Sequence, residues 1–239
     1  MWQTILTAAG DDDLVFQQAG FRSPKNWVRY KDKAILESAI LSYSAPDGLT
    51  KVILRQVESS DWQKNAGQLS SRNIKAIFLS CPTQGALCTA LLGLDDFDLD
   101  APLVVGPGDS FISQGVTSLV EEFLDGQATA ATLLFSSDDE RYSYARIMPN
   151  GDISEMAEKR RISTWASTGI FIFRKARDFL DAGSWVLQQN MRTGDEFYMS
   201  SSLNYLVMRG ERVLGLNLPA SNKYVRLASP FDLLEGSNL

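Results

Sequence analysis

Histidine is absent from this 239-residue chain. That absence excludes imidazole general-base chemistry, a Ser-His-Asp triad and His-ligated zinc together. Any catalysis must rest on carboxylates, lysines, arginines, backbone amides or a hard metal ion. Cysteine is scarce as well. The two present, Cys81 and Cys88, share an apolar segment, and without a Cys or His cluster they read as reduced core thiols of a cytoplasmic protein. No apolar run reaches the roughly 18 residues of a membrane span, and no basic–apolar–small leader is expected at the N-terminus. Positive charge is in deficit: 23 Lys and Arg against 29 Asp and Glu give a net charge of −6. A nonspecific nucleic-acid binder needs a clustered basic surface, so that class is set aside. A nucleotide ligand is not, because a few placed cations and a metal suffice locally. With no linker tract, repeat or low-complexity segment, residues 1–239 read as one α/β domain.

Short apolar runs alternate with amphipathic segments. Gln3–Ala8, Lys51–Val57, Ile74–Ser80, Leu103–Val105 and Thr129–Phe135 read as strands, and Ala34–Ser44, Gly85–Leu94 and Val116–Leu124 as helices. Trp62–Ser71 is weakly helical. This alternation predicts a mostly parallel sheet covered by helices on both faces. Later the pattern changes: Tyr142–Met148 and Ile153–Ala157 flank Asn150-Gly151, a hairpin signal. Thr168–Phe173 and Arg212–Leu218 read as strands; Asp178–Gln189, Glu196–Met208 and a short segment from Pro230 read as helices.

Several clusters could bear chemistry. Ile5-Leu6-Thr7-Ala8-Ala9-Gly10 reads as a buried strand entering a tight loop, where α/β sheets usually bind phosphate-bearing ligands. Pro24-Lys25 puts a lysine on rigid extended backbone, either a plain surface residue or a fixed charge for a triphosphate. Val104-Val105-Gly106-Pro107-Gly108-Asp109 ends a strand on a carboxylate, which is either a loop cap or a Mg²⁺ ligand. Glu158-Lys159-Arg160-Arg161 is either a solvated turn or a cation and carboxylate for a phosphorylated sugar. Asp195-Glu196 reads as the charge at a helix start.

Taken in order, these pieces resemble the sugar-phosphate nucleotidyltransferases, and most closely the branch that serves capsule and other surface polysaccharides. The likeness runs from Ile5 to about Leu233, and also rests on Pro82-Thr83-Gln84-Gly85-Ala86, Ser143-Tyr144, Gly151, Ser167-Thr168-Gly169-Ile170-Phe171, Asn204 and Ser229-Pro230-Phe231-Asp232-Leu233. The resemblance implies a Rossmann-like sheet with a small hairpin insertion, a nucleotide-binding half over 1–135 and a sugar-phosphate half over 136–239. It also implies transfer of a nucleotidyl group from a nucleoside triphosphate to a sugar 1-phosphate, with Mg²⁺ as cofactor. By the same resemblance Ala9, Gly10, Lys25, Thr83 and Gly85 would hold the nucleotide and Asp109 the metal. Glu158, Lys159, Thr168, Gly169 and Glu196 would hold the sugar phosphate, and Lys25, Asp109 and Lys159 would be the catalytic set.

The chain departs from that pattern in two places. Val15 stands where the family loop has arginine, with Asp11, Asp12 and Asp13 in place of small residues, and Arg226 aligns with a second metal-binding aspartate. A carboxylate at contact distance from a phosphate costs about 1 to 4 kcal/mol, depending on the local dielectric. The departures keep open an inactive relative serving as a binding or regulatory module, and, behind it, a glycosyltransferase that uses a nucleotide sugar. Oligomeric state is left open, a homo-oligomer included.

Overall fold

The computed structural model describes residues 1–11, 13–69 and 72–236. In chain order the first half contains β1 (Gln3–Thr7), α1 (Asp13–Gln18), β2 (Arg29–Tyr30), β3 (Lys33–Ala34), α2 (Ile35–Tyr43) and β4 (Thr50–Arg55). It continues with α3 (Ser59–Asn65), β5 (Ile74–Leu79), α4 (Ala86–Leu92), β6 (Leu103–Pro107), β7 (Ser110–Ile112), α5 (Thr117–Asp125) and β8 (Ala130–Ser136). The second half adds β9 (Ser143–Ile147), β10 (Ile153–Glu158), β11 (Trp165–Phe173) and α6 (Ala176–Gln188). It closes with α7 (Ser200–Met208), β12 (Val213–Asn217), β13 (Tyr224–Arg226) and α8 (Pro230–Gly236).

The main sheet runs β10-β9-β11-β6-β1-β4-β5, with β8 on β11 and β12 on β8. β1 pairs in parallel with both β4 and β6, and β5 with β4, as buried runs on alternate sides of helices require. Consecutive β1 residues point to opposite faces: Leu6 enters the core beneath α2 and α5, whereas Ile5 enters the one beneath α4, α6 and α7. Both are fully buried, and each contributes about 1.5 to 3 kcal/mol of transfer free energy. The strand–helix alternation thus gives a sheet covered on both faces. β9 and β10 form the expected antiparallel hairpin, turned by Gly151 at φ 86°.

Three expectations are corrected. The loop after Gly10 enters α1, whose Phe16 is fully buried in a small satellite cluster with Val28, Tyr30, Ile35, Leu227 and Leu233. One anchored aromatic winds this segment into a helix where a tight loop was expected to carry on; Asp12, Ser70 and Ser71 lie outside the described residues. The helix expected from Glu196 starts at Ser200, because Phe197 is recruited by a neighbour: its N–H donates to the Gln84 carbonyl (2.8 Å) and its carbonyl accepts from Leu87 N–H (3.2 Å). Cys81 is exposed rather than core, and Cys88 is half-buried; both thiols are free. Among the described residues no helix is long and apolar enough to cross a membrane.

Candidate functional site

Strand ends place the candidate residues. Thr7 ends β1 and Gly106-Pro107 end β6, side by side at the carboxyl edge of the parallel strands. Glycine is needed at 108, where a Cβ would fall 2.6 Å from that of Ala8. The chain can therefore turn tightly beneath the first loop and present Asp109.

Lys25 Nζ donates to Asp109 Oδ2 at 2.9 Å, and the Lys25 side chain is 8% exposed. Burial pushes the Asp109 carboxyl up, but the charge and hydrogen bond of Lys25, helped by Arg226, outweigh it and hold the group below its ordinary range. The turn that carries Lys25 is fixed twice. Its amide donates to Asp13 Oδ1 at 2.9 Å, and the next residue, Asn26, donates from Nδ2 to the Ala8 carbonyl at 2.8 Å. Asp11 is drawn aside by Arg55, 2.5 Å away. The two described loop aspartates are thus engaged by the protein itself, and neither lines the adjoining cavity.

That cavity, of about 190 Å³, is lined by Thr7, Asp109, Glu158, Thr168 and Gly169 together with Arg226. A register shift in β11 between Ser167 and Phe171 takes Thr168 and Gly169 off the ladder, and Gly169 adopts φ 79°. Such a bulge re-aims backbone toward a site. Glu158 ends β10 and accepts from Ser200 Oγ at 2.8 Å. Burial raises its carboxyl above the usual range, against the pull of Ser200 and Lys159.

The other expected residues take different places. Lys159 is not among the lining residues. It has φ 50°, and its Nζ donates to Tyr198 Oη at 2.5 Å. That hydrogen bond raises the ammonium above its ordinary value. Tyr198 Oη donates in turn to Glu196, which also lies outside the lining. Ala9, Gly10, Thr83 and Gly85 do not line the cavity, although Ala86 does. Gly85 has a structural reason of its own. At φ +117° a Cβ there would stand 2.5 Å from the Phe197 carbonyl oxygen.

Two contributors escaped the sequence reading as site residues: Tyr198, which lines the cavity, and the buried Asn26–Glu58 pair. Arg226 was noticed only as a misfit. It sits on β13 opposite Ser110 of β7, pairs with Asp232 at 3.1 Å and turns a cation toward the cavity. A larger cleft of about 740 Å³ lies beyond β7 and β13 and shares Arg141, Tyr142, Tyr224 and Arg226 with the smaller one. Asp109 and Glu158 line the smaller one; Lys25 does not line it and meets it through its ion pair with Asp109.

No group of three Asp, Glu, Cys or His residues among the described residues could hold a metal alone. Asp109 nevertheless offers one ionised hard oxygen donor. It fits a Mg²⁺ ion that takes its remaining ligands from phosphates and water.

Comparison with solved structures places the fold. A nucleoside-diphosphate-sugar pyrophosphorylase from Vibrio cholerae RC9 superposes with a TM-score of 0.83 at 19% identity, covering 99% of each chain. A Bacillus anthracis protein, described as a glucose-1-phosphate thymidylyltransferase and solved with sucrose, gives 0.78 at 20% identity over 99% of this chain and 94% of that one. The inositol-1-phosphate CTP transferase from T. maritima gives 0.76 at 13% identity over 97% and 91%. The chain thus has the Rossmann-like fold that these proteins share. No curated protein sequence matches it. The nucleotidyl transferase family model matches residues 21–212, so the chain belongs to the nucleotidyl transferase family.

Proposed function

We propose that the chain joins a nucleoside triphosphate to a sugar 1-phosphate, or a similar phosphorylated polyol, and releases pyrophosphate, in the supply of precursors for surface polysaccharides. The observation that supports this reading is the Lys25–Asp109 pair, 2.9 Å apart beside a cavity of about 190 Å³ that Glu158, Thr168 and Gly169 line. The backbone at Ala9 and Gly10 would face the triphosphate, with Lys25 as its fixed cation and the Thr83–Gly85 loop beside the base. Glu158 would accept from sugar hydroxyls, and the Thr168–Gly169 bulge would bound the ring. Lys159 would swing from Tyr198 to the acceptor's phosphate, and Glu196, bonded to Tyr198, would steady that movement. Residues 1–135 and 136–239 then serve as nucleotide and acceptor halves of one unit.

In the reaction an oxygen of the acceptor phosphate attacks the α-phosphorus. The new P–O bond forms as the bond to the β-phosphate bridging oxygen breaks, and pyrophosphate leaves with that electron pair. An ionised phosphate needs no base to activate it. Positioning and charge neutralisation carry the rate, which suits a chain without histidine. Mg²⁺, held by Asp109, would neutralise charge on the triphosphate.

A second reading, a binding module without turnover, is favoured by one observation: Val15 is 52% exposed on α1, where the resemblance expects an arginine. The two separate in one assay. Purified protein is incubated with each common triphosphate and a panel of sugar phosphates under Mg²⁺ or Mn²⁺, and pyrophosphate is followed. Release from one pair supports transfer; triphosphate binding by calorimetry with no release from any pair supports the module. A cytoplasmic location and self-association belong to the first reading, and are checked by fractionation and light scattering.

A further inference from the structure

Glu58 follows β4 and is 1% exposed, beneath the first loop. Both of its carboxylate oxygens accept from Asn26 Nδ2, at 3.1 and 3.0 Å, and the Arg55 backbone and Trp27 side chain also favour its ionised form. The same Nδ2 donates to the Ala8 carbonyl at 2.8 Å. Asn26 is itself buried, and its Oδ1 has no partner among the described residues. The amide therefore holds this orientation at the expense of a stranded acceptor, so the acceptors around Nδ2 decide it. A flipped amide would set Oδ1 against an ionised carboxylate. Protonating Glu58 removes that repulsion and lets its O–H donate to Oδ1, which releases the Ala8 carbonyl.

We infer that Glu58 is a positioning residue: through Asn26 it holds the Ala8 carbonyl and the Lys25 turn in the geometry that receives a triphosphate. The inference rests on the nucleotidyltransferase reading of that loop. Burial raises the Glu58 carboxyl to about 7 against the hydrogen bond from Asn26. Among charged neighbours, Asp13 of α1 pushes it the same way, and the Arg55 guanidinium at the end of β4 is taken up by Asp11. The arrangement therefore changes close to neutral pH.

Two effects oppose each other here. Positioning by an ionised Glu58 tightens triphosphate binding as pH rises, whereas its bare charge would repel a polyanion and weaken it. The test is calorimetry of the four triphosphates with wild type, Glu58→Gln and Asn26→Ala at pH 6 and 8, joined to deuterium exchange over residues 8–27. The variants share the ligand's own ionisation, so ratios isolate the protein. Wild type is expected to bind at least threefold tighter than Glu58→Gln at pH 8 and equally at pH 6. Asn26→Ala is expected to lose the pH dependence. Exchange protection of residues 8–27, corrected for intrinsic rate, should follow the same pattern without nucleotide. Equal protection in wild type and Glu58→Gln at pH 8, or tighter binding by Glu58→Gln, overturns the inference. The expected exchange pattern with no triphosphate bound overturns the functional reading instead and leaves the positioning intact.

Discussion

Replacing Glu58 with glutamine removes an ionisation that the fold opposes. Burial lifts this carboxyl from an ordinary value of 4.5 to about 7, even though Asn26 hydrogen-bonds both oxygens. A difference of that size corresponds to roughly 3 kcal/mol. The folded protein keeps the proton to higher pH than the unfolded chain does. This contribution to stability is therefore complete below pH 4.5 and is lost as pH climbs through about 7. Glu58→Gln has no such loss. The assay is urea unfolding of both proteins at half-unit steps from pH 4.5 to 8.5, taken as a difference so that other titrating groups cancel. Relative to wild type, the variant should gain roughly 3 kcal/mol across the interval, or about 6 to 12 °C in Tm for a chain of this size. A difference that stays flat within about 1 kcal/mol, against the roughly 3 expected, would show that Glu58 titrates normally and that its burial is not felt.

Three further outcomes are expected. Asp109→Asn and Lys25→Met should each destabilise by about 3 kcal/mol, since each strands one charge of a buried pair, while the double variant should cost less than their sum; simple additivity in a double-mutant cycle would refute the pairing. Gly85→Ala should lower stability by more than about 2 kcal/mol, because it adds a Cβ 2.5 Å from the Phe197 carbonyl at a positive φ, and an unchanged Tm would contradict that contact. Tyr198→Phe should lower the Lys159 ammonium's pKa by removing its largest upward influence, seen in NMR titration of the lysine side chains; an unmoved resonance would place Lys159 away from the tyrosine hydroxyl.

Much of the fold was legible because its signals are periodic and local. Ile5-Leu6 and Val104-Val105 read as buried strands, and Asn150-Gly151 as a hairpin turn, without knowledge of distant partners. What failed depended on tertiary contacts. The Glu196-Phe197 segment has helical composition, yet Phe197 is paired with Gln84 and Leu87 across the chain. α1 forms because Phe16 finds a pocket built by Leu227 and Leu233 from the far end of the sequence. The site divided the same way. Lys25, Asp109 and Glu158 each had a plain local reading, as surface lysine, loop cap or solvated turn, and only the order of the motifs and the resemblance it carries singled them out. The fold sets Lys25 on Asp109 and puts Asp109 and Glu158 on one cavity wall. Lys159 and Glu196 could be named but not placed, since nothing local shows that Tyr198 takes up both. Asn26 and Glu58 carried no signal, because an ordinary polar residue in a turn becomes a buried pair only after folding.

The central claim is transfer of a nucleotidyl group at the Lys25–Asp109 end of the site. Its most direct measurement is pyrophosphate release by wild type and Asp109→Asn across four triphosphates and a panel of sugar and polyol phosphates, with products identified by mass spectrometry. The account predicts a nucleoside-diphosphate-linked sugar or polyol from one pairing, reduced at least tenfold in the variant. No product from any pairing with wild type, or equal turnover by both proteins, would contradict it.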